Sequence, residues 1–273
     1  MPAISLALTI VVYAIGVWRL WRFAGYGQGI RPIQALAFAS GWLSLVVALS
    51  PPLDEWSDEW LAAHMVQHEL LMVVAAPLIA YGAPIIGLLW AMPSRVRRVA
   101  VTSVRRTGVS RVWNALTTPG CVFVLYGAAL WIWHVPALYD YAVEHEGVHI
   151  VQHLCFFGTA TLFWWGITHG RQGRVGYGAA VVYVFLTAVH GAVLGALLTV
   201  SPGVWYAPYL VTRPDGLTPL EDQQLAGLLM WVPAGLAFAA GGLFLFAAWL
   251  RQSDRRSRFA DAPTAGLMST RIP

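Results

Sequence analysis

The sequence predicts an all-α integral membrane protein, a bundle of seven transmembrane helices with its N-terminus outside and its C-terminus in the cytoplasm. The composition, the spacing of apolar runs and the distribution of arginine support this fold class. The 273 residues are 58% hydrophobic and only 11% charged, whereas a soluble domain averages about 25% charged residues. A soluble fold of this length does not hide so much apolar surface, so the bilayer is the expected solvent.

Seven apolar runs are long enough to cross a bilayer, for which a helix needs roughly 20 residues. They cover residues 4–21, 33–50, 61–82, 117–135, 147–168, 177–200 and 224–250. The segment 83–93 is also apolar but is bracketed by Pro84 and Pro93, so we expect a short interfacial extension rather than an eighth span. We divide the chain into a transmembrane domain, 1–250, and a cytoplasmic basic tail, 251–273, that we expect to be disordered.

The positions of arginine predict the orientation. All 17 basic residues are arginines, and all but Arg213 fall in the first, third and fifth connections between spans or in the C-terminal tail. Because basic residues concentrate on the cytoplasmic side, the N-terminus is predicted to lie outside. The arginine-rich segments then face anionic membrane lipid, which explains the net charge of +4 without nucleic-acid binding.

Two of the connections predicted to lie outside are acidic and aromatic. The first covers residues 54–60 and the second residues 139–146, and both mix carboxylates with tryptophan or tyrosine rings. This composition is typical of the aromatic belt at a membrane interface. It also suits a surface that attracts metal cations, and the sequence alone leaves both interpretations open.

A short internal repeat is the most informative feature of the chain. His64-Met-Val-Gln-His68 on the third span returns as His149-Ile-Val-Gln-His153 on the fifth, with four of five positions identical. An acidic connection precedes each copy. The two spans run in the same direction, so these are parallel repeats and both histidine pairs are predicted to lie at one depth.

Histidines four residues apart share one helix face, about 6 Å apart along the axis. Burying imidazoles within the bilayer is costly unless something binds them, so we predict that the two histidine pairs face each other closely enough to share a metal ion.

Further candidate ligands are predicted at successive depths in the outer half of the bundle. They are His134 at a shallow level, Met230 at the level of His68 and His153, and Met72 and His190 at greater depth. His190 and Met230 are predicted to border the same cavity.

The identity of the metal is predicted from the softness of the ligands. Imidazole suits copper, zinc, iron and nickel, and the thioethers of Met72 and Met230 narrow the choice toward Cu(I). A structural interpretation stays open, in which histidines bond backbone carbonyls or the amides of Gln67 and Gln152 and the methionines fill gaps in the core. Glu69 is a carboxylate inside a span and needs a partner or a proton.

The sequence contains none of the common motifs of phosphate binding, zinc peptidases or serine hydrolases. There is no phosphate-binding glycine loop, no helical His-Glu-x-x-His motif and no Gly-x-Ser-x-Gly elbow. His145, in an outer connection, and His169, at the end of the fifth span, are expected to be structural. The sequence therefore does not indicate an enzyme.

Three stretches of the chain resemble the multi-spanning CtaG family of bacterial cytochrome c oxidase assembly factors. They are the run from His64 through Pro84, the Trp133-His134-Val135-Pro136 corner with the second histidine motif, and Asp222-Gln223-Gln224 through Met230-Trp231. The resemblance covers about 33–250. The matching positions that it marks as site candidates are His64, His68, His134, His149, His153, His190, Asp222 and Met230.

The resemblance implies a multi-pass protein of the bacterial plasma membrane that helps to mature the oxidase. Its expected role is that of a metallochaperone, which delivers copper to the catalytic subunit of cytochrome c oxidase by ligand exchange. Two alternatives stay open, namely a copper transporter and a haem-bearing electron carrier in which His68 and His153 ligate the iron. The oligomeric state is also open, a homo-oligomer included.

Overall fold

The structure is a computed structural model that describes residues 2–169, 172–210 and 216–260. Within these ranges all regular structure is helical. The elements in chain order are α1 (Pro2–Ala24), α2 (Pro32–Ala48), α3 (Leu53–Glu59), α4 (Leu61–Glu69), a π-helix (Leu70–Ala75), α5 (Ala76–Tyr81), α6 (Pro84–Ala91), α7 (Ser94–Arg106), α8 (Val109–Leu116), α9 (Pro119–Trp133), α10 (Pro136–Glu144), α11 (Glu146–His169), α12 (Gln172–Val200), a 3₁₀ turn (Ala207–Tyr209) and α13 (Pro219–Ala260).

Several helices in the described ranges are long and apolar enough to cross a membrane. Five qualify alone, over Ile4–Ala24, Leu61–Tyr81, Glu146–His169, Gly178–Val200 and Pro219–Arg251. Two bent pairs, α2 with α3 and α8 with α9, turn by 45° and 68° and bring the number to seven if each pair is one span. The all-helical, membrane-compatible fold is confirmed, while the count of seven and the orientation of the termini stay predictions.

The third predicted span is the centre of the bundle. It is divided into α4, the π-helix and α5, and together these contact α2, α11 and α13. The wide turn of the π-helix precedes Pro77, which has no N–H to donate and so prevents a regular α-helical pattern there. Side chains outside the helix bond carbonyls of the wide turn: Ser44 Oγ donates to Leu70 O at 3.2 Å, and Trp164 Nε1 donates to Met72 O at 3.1 Å.

Close glycine contacts hold two helix pairs together. A Cβ atom at Gly227 of α13 would lie 2.6 Å from the carbonyl oxygen of Gly195 on α12, so the two backbones approach as only glycines permit. A Cβ atom at Gly16 of α1 would likewise overlap the Gly87 carbonyl of α6. The segment predicted as an interfacial extension is therefore a separate short helix packed on the first span.

The last helix is longer than the predicted span. It runs from Pro219 to Ala260 and so continues past the predicted domain boundary at 250. Residues 261–273 of the predicted tail lie outside the described residues. The division into a membrane domain and a disordered tail stays a prediction.

Candidate metal centre

The two repeated motifs, on α4 and α11, meet within the helix bundle. One ligand atom from each of His64, His68, His149 and His153 can be chosen so that all four lie within 4.8 Å of one another. The predicted juxtaposition of the motifs is therefore confirmed. Nitrogens bound to one ion at about 2.0 Å lie at most about 4 Å apart, so the four rings would have to draw together by under about 1 Å to share an ion.

The ring geometry shows how the helices bring the four histidines together. Within each motif the rings are neighbours on one helix face, with centroids 4.4 Å apart on α4 and 4.2 Å apart on α11. Between the helices, His64 stacks on His149 at 5.0 Å and His68 meets His153 edge to face at 5.2 Å. The four imidazoles thus form one cluster with two levels.

Burial differs between the two helices. His64 and His68 are only 1% and 4% exposed, whereas His149 and His153 are half-buried. The Nε2 atoms of all four rings are buried and make no hydrogen bond within the described residues. Because buried polar atoms normally have partners, these nitrogens fit a bound cation better than a structural role.

Tyr209 sets the proton position on His64. Burial raises the pKa of the Tyr209 phenol, so the hydroxyl keeps its proton, and it donates that proton to the carbonyl oxygen of Ser57 at 2.9 Å. The 3.1 Å contact between Tyr209 Oη and His64 Nδ1 must then use the imidazole N–H as donor. Neutral His64 therefore carries its proton on Nδ1, and Nε2 presents a lone pair.

A hydrogen bond also fixes the position of the ring proton on His134. Its Nδ1 lies 2.7 Å from the carbonyl oxygen of Leu130, which can only accept, so Nδ1 is protonated. The Nε2 atom is buried without a hydrogen bond among the described residues. The His134 ring lies 6.4 Å from that of His68, beside the four-histidine cluster rather than in it.

A small cavity of about 30 Å³ lies next to the cluster. His68 belongs to both, because it lines the cavity and is one of the four clustered histidines. The other polar or sulfur-bearing side chains that line it are Met65, Glu69, Met72, Tyr126, His134, Met230 and Trp231. The prediction that Met230 borders a cavity at this site is confirmed, and Met72 borders it as well.

Two of the candidate residues occupy other places. His190 does not line this cavity, because α12 directs its side chain toward α9. The His190 ring centroid lies 5.4 Å from that of Phe123 and 5.7 Å from that of Tyr126.

Asp222 accepts hydrogen bonds from the backbone N–H groups of Leu61 at 2.8 Å and Ala62 at 3.0 Å. We therefore correct its assignment from metal ligand to a cap that holds the N-terminus of α4.

One side of the cluster is covered by tyrosines that sequence reasoning did not assign to the site. Tyr139 is fully buried. Its ring centroid lies 5.3 Å from that of His64 and 4.0 Å from that of Tyr206, on which it stacks. Tyr206 donates to the carbonyl oxygen of His134 at 3.2 Å. The signals in the sequence were the aromatic residues of the connection 139–146 and of the connection after the sixth span, but nothing local shows that these connections fold over the cluster.

Carboxylates lie near the more accessible histidine pair. Asp54 and Asp58 on α3 are exposed and act electrostatically on His149. On the neighbouring α10, burial raises the pKa of Asp140, although a hydrogen bond from the Ala207 amide opposes this shift. Asp54 and Asp58 therefore lie on the half-buried side of the cluster, close enough to act on His149.

These features define an all-helical, membrane-compatible protein with a buried cluster of imidazoles between its helices. The family described as cytochrome c oxidase caa3 assembly factor (Caa3_CtaG) has a model that matches residues 11–252. The chain belongs to this family, which confirms the resemblance to CtaG proteins.

Two curated relatives are similar over nearly the whole chain. They are the uncharacterized protein Mb0105 of Mycobacterium bovis and the uncharacterized protein MT0111 of Mycobacterium tuberculosis. Each is 25% identical over 97% of this chain but over only 43% of its own length, so the chain spans less than half of these relatives. No solved structure gives a significant match.

Proposed function

We propose that the chain is a membrane-embedded assembly factor for a cytochrome c oxidase that carries copper at the four-histidine cluster and passes it to the catalytic subunit. Family membership supports the oxidase as the partner. The observation that carries the copper role is the set of four imidazole ligand atoms within 4.8 Å of one another. No step of this role needs bond-making chemistry on an organic substrate, so the protein acts as a carrier rather than an enzyme.

The charge of the cluster favours a monovalent ion. Four neutral imidazoles supply no negative charge, so the ion keeps its full charge in a medium of low dielectric constant. The desolvation cost rises with the square of the charge, so a divalent ion would cost about four times as much as Cu(I). The nearby thioethers of Met65, Met72 and Met230 also favour Cu(I), because soft sulfur ligands select this ion.

The gradient of burial suggests how an ion would be taken up and released. A cation drawn by Asp54 and Asp58 first meets His149 and His153, which are half-buried. His64 and His68 then complete the coordination from the buried side. Release reverses this order, since ligands of an oxidase subunit docked on the same face can replace the two accessible imidazoles first.

Transport to the opposite membrane face is a weaker alternative. Phe238 lines the cavity, and Phe163, Trp164 and Phe238 pack against one another there with ring centroids 5.2 to 5.7 Å apart. All three are buried. An ion leaving the cavity inward would meet this aromatic layer rather than polar or sulfur ligands.

A haem-carrying function is also disfavoured. Cofactor pockets usually enclose about 300 Å³ or more, whereas the cavity beside the histidines has about 30 Å³. The four rings are in mutual contact and leave no gap for a porphyrin between them. A Soret band in the purified protein would contradict this conclusion.

The proposed function is tested in cells whose own copy of this protein has been deleted. We expect the wild-type chain and the His145→Ala variant to restore oxidase copper and activity, because His145 is exposed and lies outside the cluster. The His149→Ala/His153→Ala variant should accumulate normally in the membrane but leave the oxidase short of copper. Full oxidase activity with that double variant would refute the proposal.

A further inference from the structure

A second group of candidate ligands lies beside the histidine cluster, around the small cavity. Met72 follows His68 by four residues, about 6 Å along the helix axis, and both line the cavity of about 30 Å³. Met65 and Glu69 lie on the same helix face, because positions three, four and seven apart share a face. Met230 of α13 lines the cavity from another helix.

The polar atoms around this cavity are unsatisfied by the described residues. They include Oε2 of Glu69, both ring nitrogens of His68, Nε2 of His134 and Nε1 of Trp231. His68 and His134 are 4% and 3% exposed, so bulk solvent does not reach them. A group that binds in the cavity is therefore expected, since leaving buried polar atoms without partners costs free energy.

The local backbone is also unusual at this point. Met72 lies in the π-helix Leu70–Ala75, and its carbonyl oxygen is held by Trp164 Nε1. Single π turns in a helix occur frequently at functional sites. The wide turn keeps the Met72 side chain buried, at 5% exposure, beside the cavity.

We infer that this cavity is a second, inner Cu(I) site, formed by the thioethers of Met65, Met72 and Met230 with the imidazole of His134. Three thioethers and one imidazole are a soft ligand set, which disfavours zinc and magnesium. The carboxylate of Glu69 supplies the negative charge that balances the monovalent ion in a buried setting. A cavity of this size holds about one small ion or water molecule.

His68 connects the inner site to the four-histidine cluster. Its ring is 5.2 Å from His153 in the cluster and 6.4 Å from His134 beside the cavity. An ion held by His68 can therefore exchange its other imidazoles for thioethers without becoming uncoordinated. Each exchange forms a copper–sulfur bond as a copper–nitrogen bond breaks, and the oxidation state does not change. The direction of transfer rests on the proposed function, but the inner site does not.

The test is copper K-edge absorption on the purified full-length protein, loaded anaerobically with Cu(I) alone. We expect sulfur neighbours in the wild-type spectrum and a larger sulfur share in the His149→Ala/His153→Ala variant, which keeps the inner ligands. The Met65→Leu/Met72→Leu/Met230→Leu variant should retain Cu(I) with nitrogen neighbours only. Leucine preserves the apolar volume, and Met92→Leu, at an exposed methionine outside the cavity, is the matched control.

Two further variants keep the inference testable if the triple leucine variant does not fold. Met72→Leu alone should lower the sulfur share, and Glu69→Gln should weaken Cu(I) binding roughly tenfold in the His149→Ala/His153→Ala background, as supporting groups at metal sites do. A wild-type spectrum without sulfur, or sulfur that persists in the triple variant, would overturn the inner site. Failure of the proposed function is seen separately, as normal oxidase maturation without the outer histidines.

Discussion

The phenol oxygen of Tyr209 lies 3.1 Å from Nδ1 of His64, although 145 positions separate the two residues in the chain. The same phenol donates to the carbonyl oxygen of Ser57. This arrangement keeps the Nδ1 proton on His64 and aims the Nε2 lone pair at the cluster. Tyr209 is therefore a positioning residue for His64, and under the proposed function for the copper ion at the four-histidine cluster.

We predict that Tyr209→Phe weakens Cu(I) binding by about tenfold, within the range observed when partners of metal-bound histidines are lost. The ring itself remains, so the fold should be kept. Competition with a chromophoric Cu(I) chelator measures the change. Tyr141→Phe is the control, because Tyr141 is 49% exposed, and equal affinities for both variants would show that Tyr209 does not position His64.

Removing the carboxylate of Asp222 should affect stability more than metal binding. Asp222→Ala leaves the Leu61 and Ala62 amides at the start of α4 without their acceptor, a loss of about 1–3 kcal/mol for buried groups. The midpoint of thermal denaturation in detergent should fall, while the folded fraction binds Cu(I) with unchanged affinity. An unchanged midpoint together with lost copper would restore Asp222 as a ligand.

The contact between α12 and α13 should be sensitive to a single methyl group. In Gly227→Ala the new carbon would lie 2.5 Å from Thr199 Oγ1 and 2.6 Å from Gly195 O, so the helices must separate at a cost of about 1–3 kcal/mol. We expect a lower denaturation midpoint. Gly158→Ala on α11, where nothing lies within 4 Å of the added carbon, should be neutral or slightly stabilising. Equal midpoints would show that α12 and α13 do not need the close approach.

The predicted orientation is tested by cysteine labelling in a Cys121→Ser/Cys155→Ser background. A cysteine at Ser103 in the arginine-rich α7 should react only with reagents on the cytoplasmic side. A cysteine at Glu55 in α3 should react only from outside. Both positions are exposed. Labelling of Ser103→Cys from outside would reverse the orientation and place the accessible histidines in the cytoplasm.

The meeting of the two histidine motifs was predictable because it depends on repeated local properties. Parallel spans with the same motif place both pairs at one depth, and the cost of exposing imidazole to lipid turns both pairs inward. Met72 and Met230 were predicted near this site by counting residues along their spans. Met65 was missed, although its spacing of seven residues from Met72 places both on one helix face.

The remaining features depend on contacts between distant parts of the chain. Asp222 caps α4 from 161 positions away in sequence, and no local pattern separates such a cap from a ligand. Tyr209 reaches His64 only because the connection after α12 folds back over the cluster. The depth of a residue can be read from the sequence, but the rotation of α12 about its axis is set by packing against α13. The predicted place of His190 was wrong for this reason.

The most direct test of the account is the copper content and nitrogen coordination of the purified protein after anaerobic loading with Cu(I). We predict that wild-type protein and His145→Ala bind the same amount of Cu(I) through imidazole nitrogen. His68→Ala/His153→Ala should lose the share of copper that the four-histidine cluster binds, while keeping the wild-type elution volume and helix content. Copper content equal to wild type in that double variant would contradict the account, since the clustered histidines would then have a purely structural role.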